Sequence, residues 1–590
     1  MKTTRFYSLA LAALMLGACS DVTDLNENGQ GAVLDGENGF VSFSINLPTQ
    51  PSSRANDMFD DGVAAEYAVK DATLLIFVGN NEEEATFHNA YKLTGLLETP
   101  DYDNDNITSS YNNIAASILK PSKSGNLYAL VMLNSQNVLT QDASSKNWSL
   151  MGTPLTETVS FDDVRTAAQT FDDEAAVKKL GDIGESYFFM TNAPLCDKPG
   201  GAVAPTGGTV TTLVELDKSK IFNSKEKALK NPAGDIFVER AVAKVTVKNS
   251  SKTGEGGSLK YSAVGWTLDV MNKKSYIVRN VKGADWWEYK ANGTSDYRFV
   301  GSVGTETTDK LYRTYWAKDP NYDTALDKTQ FINKEENTLT DEKLTACDDN
   351  LYCLENTFCV DHQNQDETTR VVVAVDLLQE GADGTTHDFY ILNDNKSKVY
   401  VKDGLDNEIK TQYLNIEGVK KLVEDNLKGT DGVKVGDYMS VKYDKLTTGG
   451  NLKVTEITFD PSIFKGNTVP DGLTDATNDA NIASLNSKFT KIAYYKGGRA
   501  YYPVRIRHFD DAQTPWTVDD ALYNGNEEDY LGRYGVLRNN WYQIDVKTIK
   551  EIGEAEVPSL KPNQDDEFDN WISVNISIFS WALRNQSVDL

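Results

Sequence analysis

Histidine and cysteine are scarce in this chain, with 4 and 5 copies among 590 residues. None of His88, His362, His387 and His508 is linked by motif to a nucleophile, and a solvated surface position is the default for all four. No HExxH, GxSxG or Walker-type lysine loop occurs, so metalloprotease, α/β-hydrolase and P-loop chemistry have no carrier. The glycines between Gly254 and Gly257 lack the third glycine of a dinucleotide fingerprint and open no apolar helix. Positive charge is short as well: 59 Lys and Arg stand against 87 Asp and Glu, a formal net charge of −28. That balance disfavours nucleic acid and anionic membrane surfaces as partners. Beyond the N-terminus no apolar run is long enough for a transmembrane helix, and no fixed-period repeat suggests a solenoid. The expectation is a non-enzyme with no cofactor.

What the chain does contain begins at its N-terminus. Lys2 and Arg5 precede an apolar stretch, Phe6–Leu16, that ends in Leu16-Gly17-Ala18-Cys19. This pattern resembles a bacterial lipobox, with Cys19 as the lipidated residue and Ser20–Gly31 as a polar tether. An ordinary signal peptide with a chance cysteine is the alternative. Next comes a strand: Val41, Phe43, Ile45 and Leu47 alternate with Ser42, Ser44 and Asn46, which predicts one buried face. Pro48 ends it, and Pro51-Ser52-Ser53 leads to Arg54-Ala55. Arg54 is the sole Lys, Arg or His between Arg5 and Lys70, so a protease that requires a basic residue has one target there. At the other end Ile572, Val574, Ile576 and Ile578 alternate with Ser573, Asn575 and Ser577. The two ends carry nearly interchangeable strands.

Between them, strand-like runs recur: 73–78, 127–134, 187–190, 210–216, 236–247, 265–270, 371–375, 389–392, 501–507 and 542–546, with 398–403 a weaker candidate. The segment 236–247 reads as one long strand, and 265–278 as two strands in a hairpin through Asn272-Lys273. One helix is predicted, N-capped by Ser160 with Asp163 three residues on and Val164, Ala167, Ala168 and Phe171 on one face. Asn249–Ser258 reads as a domain boundary, 305–347 and 466–486 as polar insertions, and Val557–Phe568 as a mobile acidic linker beyond which the last strand hangs. Cys347, Cys353 and Cys359 stand at six-residue intervals. That spacing is unlike zinc pairs and leaves a Cys347–Cys353 disulfide or unpaired thiols as alternatives. Asp101, Asp103 and Asp105 mimic a calcium loop but lack its glycine and glutamate, and an acidic solvated loop fits better. Trp286, Trp287 and Tyr289 form either a sugar platform or part of the core. No metal site is expected.

The lipobox, Ser53-Arg54-Ala55, Val238–Val245, Gly535-Val536-Leu537-Arg538-Asn539-Asn540-Trp541-Tyr542 and the tail from Ser573 to Trp581 with Val588-Asp589-Leu590 resemble the Bacteroidales fimbrillins, subunits of type V pili. The structural subunit of the minor, short fimbriae is the nearest likeness. The resemblance implies a mainly β chain of two transthyretin-like β-sandwich domains with few short helices. It implies a signal peptide over 1–18, a propeptide over 19–54, sandwich domains over 55–250 and 251–556, and a linker with donor strand over 557–590. Implied partners are other fimbrial subunits joined head to tail, an arginine-specific surface protease cutting at Arg54–Ala55, and host or bacterial surface ligands. An outer-membrane lipoprotein precursor would thus become an extracellular fimbrium by exchange of Val41–Leu47 for Ile572–Ile578. A tip or anchor subunit and a non-polymerising glycan-binding surface lipoprotein are the competing readings.

Overall fold

A computed structural model describes residues 33–46, 66, 68–94, 110–135, 138–171, 188–196, 210–251, 253, 259–282, 299–303, 311–314, 316–324, 328–332, 339, 343–378, 387–429, 432–446, 451–474, 476–509, 531–560, 562, 572–580 and 583–585. The fold is mainly β, built as β-sandwich domains with few short helices, as expected.

The first sheet takes β1 (Asn38–Asn46), β2 (Ala72–Gly79), β3 (Thr86–Lys92), β4 (Ser110–Leu119), β5 (Asn126–Leu133), β6 (Met190–Asn192), β7 (Val214–Leu216) and β8 (Asp235–Arg240). Its order is β3-β2-β5-β6-β8-β1-β4, with β7 also on β5. The ends approach each other, for the Leu119 amide of β4 donates to Tyr91 Oη of β3 at 2.9 Å. β2 is buried along its whole length, which explains its unbroken apolar run. The predicted capping box is present, but α1 spans only Phe161–Arg165. The chain after it pairs as a short strand, Ala168–Thr170, with Lys274–Tyr276. Val164 and Phe171 still reach one core, from the helix and from just beyond the strand rather than from a single helical face.

A seam joins this sheet to the second domain. The expected long strand is two, β8 and β9 (Val242–Asn249), parted at Ala241. Ile236 and Val238 belong to the first core and Val245 and Val247 to the second, because β9 leaves the first sheet to pair elsewhere. The left-handed Asn539 (φ 60) fastens the crossing: its amide donates to the Val242 carbonyl at 2.8 Å. Its Oδ1 accepts from the Arg240 amide at 3.3 Å. Beside it, Arg279 pairs with Glu239 at 3.0 Å and Glu355 at 3.7 Å, and Arg538 with Glu355 at 3.4 Å, all buried. The two stretches of sequence around Arg240 and Arg538 thus meet at one place.

The second domain faces two sheets across one core. β9 pairs with β11 (Asn350–Leu354) and β18 (Asn540–Ile549), while β10 (Tyr261–Asp269), β12 (Arg370–Leu377) and β17 (Arg499–Arg505) form the opposite sheet. Pro503 lies in β17, an edge strand of that sheet, where its missing N–H is tolerated. The predicted hairpin through Asn272-Lys273 does not form: Val270 turns left-handed (φ 56) and the two arms pair in different sheets.

Between β12 and β17 lies a third core that the sequence reading did not foresee. There β13 (Phe389–Leu392) leads through α2 (Lys402–Leu414), α3 (Glu417–Asn426), β14 (Met439–Lys445), β15 (Leu452–Phe459) and α4 (Asp479–Asn486) to β16 (Ile492–Tyr495). Only Val399–Tyr400 of the weak strand candidate is a strand, because α2 starts at Lys402. Leu405, Ile409 and Tyr413 form one helical face, buried with Val419, Val423, Val454 and Ile457.

The seam makes a prediction. Arg279→Ala removes the cation that the buried Glu239 and Glu355 share, with Arg538 still beside Glu355, and should lower stability by about 3–5 kcal/mol in urea unfolding.

Candidate functional site

β1 lies between two strands of its sheet. It pairs in parallel with β8 over Ser44↔Asp235 to Asn46↔Phe237, and antiparallel with β4 from Asn38↔Leu119 to Asn46↔Ser110. Val41, Phe43 and Ile45 are each 0% exposed and join the first core. Their burial is worth roughly 4.5–9 kcal/mol as an upper bound.

The serine face of β1 is covered too, where alternation suggested solvent. Ser42 and Ser44 are buried because the segment 221–234 lies over them. The Ala233 amide donates to the Ser42 carbonyl at 2.7 Å, and Phe40 and Phe222 exchange bonds of 2.6 and 2.8 Å. Gly39 permits that approach, since a Cβ there would stand 2.6 Å from Ile221 Cγ2. Ser42 Oγ is buried and has no hydrogen-bond partner among the described residues, so apolar contacts and ladder bonds hold the strand while one polar group opposes it. Withdrawing β1 would leave β8 and β4 with open edges beside an apolar slot.

At the other end β19 (Ile572–Ser580) is also a strand of nine residues, matching β1 in length. It does not hang free. It pairs antiparallel with β18 along its length, with Ile578 opposite Tyr542, Ile576 opposite Ile544, Val574 opposite Val546 and Ile572 opposite Ile549. The reason is the partner: β18 carries the buried Tyr542, Ile544, Val546 and Ile549, and an open edge there would expose ladder and core together. β1 and β19 sit in different sheets and are not paired to each other.

The start of the expected linker is likewise packed. Val557 is buried in a cluster with Val372 and Tyr501, and the Pro558 carbonyl accepts from Arg370 Nη2 at 2.7 Å.

Cys19, Leu47, Arg54 and Ala55 lie outside the described residues, as do Asp101, Asp103, Asp105, Trp286, Trp287 and Tyr289. Cys347, Cys353 and Cys359 are free thiols, so the disulfide alternative is not formed; burial pushes Cys353 up to about 12, which keeps it inert. His508 is not on the surface: it is buried against Trp316, Phe509 and Tyr542, with Nδ1 2.8 Å from Tyr542 Oη.

One residue escaped sequence reasoning because no pattern marks it. Glu66, between Arg54 and β2, is buried at the seam, 2.8 Å from Lys244 Nζ and 2.6 Å from the donating Tyr352 Oη. Burial alone would raise its carboxyl, but the Lys244 ammonium, the Tyr352 hydroxyl and Arg240 hold it below the ordinary value. Arg240 Nε also donates to the Glu66 carbonyl at 2.6 Å. The chain downstream of Arg54 is therefore moored independently of β1.

Phe43→Ala should lower the stability of the full chain by about 3–5 kcal/mol in urea unfolding, the range for truncating a buried phenylalanine. A loss under about 1 kcal/mol would show that the slot closes without its occupant.

Residues 493–587 match the family model described as major fimbrial subunit protein type IV, fimbrillin, C-terminal. That span contains β17, β18 and β19. A proposed cell adhesion protein from Parabacteroides distasonis is similar at 10% identity, over 93% of this chain and 99% of that one, with a TM-score of 0.32. A second, from Bacteroides eggerthii, is 10% identical over 93% and 98%, with a TM-score of 0.33. No curated protein sequence matches the chain.

Proposed function

We propose that this chain is a fimbrillin, a structural subunit of a cell-surface fimbrium that polymerises by protease-triggered strand exchange. The chain is exported as an outer-membrane lipoprotein through Cys19. An arginine-specific surface protease cuts Arg54–Ala55, and Val41, Phe43, Ile45 and Leu47 leave with the propeptide. Ile572, Val574, Ile576 and Ile578 of a neighbouring copy refill the slot.

The position of β1 carries this reading. It lies upstream of the lone basic residue and is seated between β8 and β4, so one cut frees a strand whose loss opens an apolar slot. The match of residues 493–587 to the fimbrillin C-terminal model supports it from the other end. β19 has one long antiparallel ladder, with β18, and one short one, with Leu583–Asn585. The slot also offers a long antiparallel ladder, with β4, and a short one, with β8, although that short ladder is parallel. Exchange then replaces one long and one short ladder by another such pair, and refilling the apolar slot supplies the drive. Because the donor strand and the slot are different surfaces, each contact is head to tail and the assembly grows open-ended. Before the cut the subunit fills its own slot and stays monomeric. A tip or anchor role would leave either the tail or the cut site without a use.

Arg54→Ala should abolish the polymer ladder on mild gels and leave the full-length monomer; normal ladders would refute the cut site. Deleting residues 571–590 should give a subunit that accepts a strand but does not donate one, so chains end wherever it is incorporated. Long filaments from that truncation alone would refute the donor assignment.

A further inference from the structure

In a chain of net charge −28, lysines gather at the end of the first sheet where β1 begins. Lys120 and Lys123 follow β4, Lys218 and Lys220 lie on the turn at 218–220, and Lys225 and Lys227 lie on the short helix Lys225–Leu229. The turn and the strand end are tied together: Lys123 Nζ donates to Thr86 Oγ1 at 2.8 Å, and Lys218 Nζ to the Lys123 carbonyl at 3.5 Å. Lys227 stands over the Phe222 ring at 5.0 Å, beside Phe40 of β1.

Among the described residues these six lysines make one ion pair, Lys120 with Asp35 at 3.2 Å. Lys120 also donates to the Val33 carbonyl at 2.8 Å, and the Gly36 and Lys120 backbones are joined at 2.8 Å. Burial lowers the Lys218 ammonium from its ordinary value, with Asp35 opposing and Lys120 adding to the effect, so the three groups share one field. Asp217, the nearest acid on the turn, is engaged with Ser219 N and Oγ at 2.9 and 2.6 Å. Asp35 and Glu37 thus sit at the mouth of the slot, just ahead of β1. Both lie upstream of Arg54.

The donor tail has the same order of parts. Asp565, Asp566, Glu567 and Asp569 come just ahead of Ile572–Ser580, whereas the residues after it, 581–590, hold one acid, Asp589, and one base, Arg584. A strand entering in the direction of β1 brings its acids onto the lysines that Asp35 has vacated. One entering in the opposite direction brings the nearly neutral end there.

We infer that the surface around Lys120 and Lys218 docks the acidic segment Asp565–Asp569 of a second copy of this chain, and so sets the incoming strand parallel to β8, as β1 is. The inference rests on the strand-exchange reading. Complementary charge at the slot mouth speeds the encounter and selects the direction of entry, and its effect fades with salt.

The test follows polymer growth by light scattering after the full chain is trimmed with an arginine-specific protease, at low and at high salt. Lys120→Glu with Lys218→Glu should slow growth roughly 10-fold or more at low salt and little at high salt. Lys218→Glu with Lys220→Glu, which leaves the Lys120–Val33 bond in place, should act in the same direction. Asp565→Lys with Asp566→Lys and Glu567→Lys should slow growth alike, and combining reversed donor with reversed acceptor should restore it. Unchanged growth of all reversals, beside a wild type that polymerises, overturns the docking surface and leaves strand exchange standing. A trimmed wild type that never polymerises overturns both.

Discussion

The first domain depends on one insertion: β1 between β8 and β4. Without it β4 loses its long ladder, the segment 221–234 loses the strand it lies on, and the core loses Val41, Phe43 and Ile45. Three side chains of that size exceed what any surface ion pair could replace. Only another strand restores both ladder and core. An apolar slot with two open edges selects for an alternating strand of similar length, and β19 is such a strand.

On the strand-exchange reading, the rest of the first domain has to stay anchored while the slot is empty. Glu66 holds the chain downstream of Arg54 at the seam, through Lys244, Tyr352 and Arg240, and none of those contacts involves β1. Asn539 pins the passage from β8 to β9, and Arg279 and Arg538 lock Glu239 and Glu355 between the domains. Buried charges of this kind are poor sources of net stability but fix one arrangement against others.

Much of this was legible in the sequence, and the failures have physical causes. Alternation identified β1 and β19, and continuous apolar runs identified β2, β5 and β12, because period-2 and strand-length signals survive without tertiary context. Alternation could not show that Ser42 and Ser44 are covered, since the cover comes from residues far along the chain. Nor could it part β8 from β9, because a strand that changes sheets at Ala241 keeps the same period on both sides. The helices of the third core were missed although Leu405, Ile409 and Tyr413 repeat at helical spacing; dense polar residues between them masked the stripe. Of the candidate site, the slot strand and the tail strand were readable as strands, whereas Glu66 and the lysine mouth arise only when distant segments are folded together.

The most direct measurement is N-terminal sequencing of subunits released from intact surface fimbriae. Strand exchange predicts that they begin at Ala55, with β1 gone from every polymerised copy. Fimbriae whose subunits still carry Gly39–Leu47 would contradict it, since the slot would never have been opened.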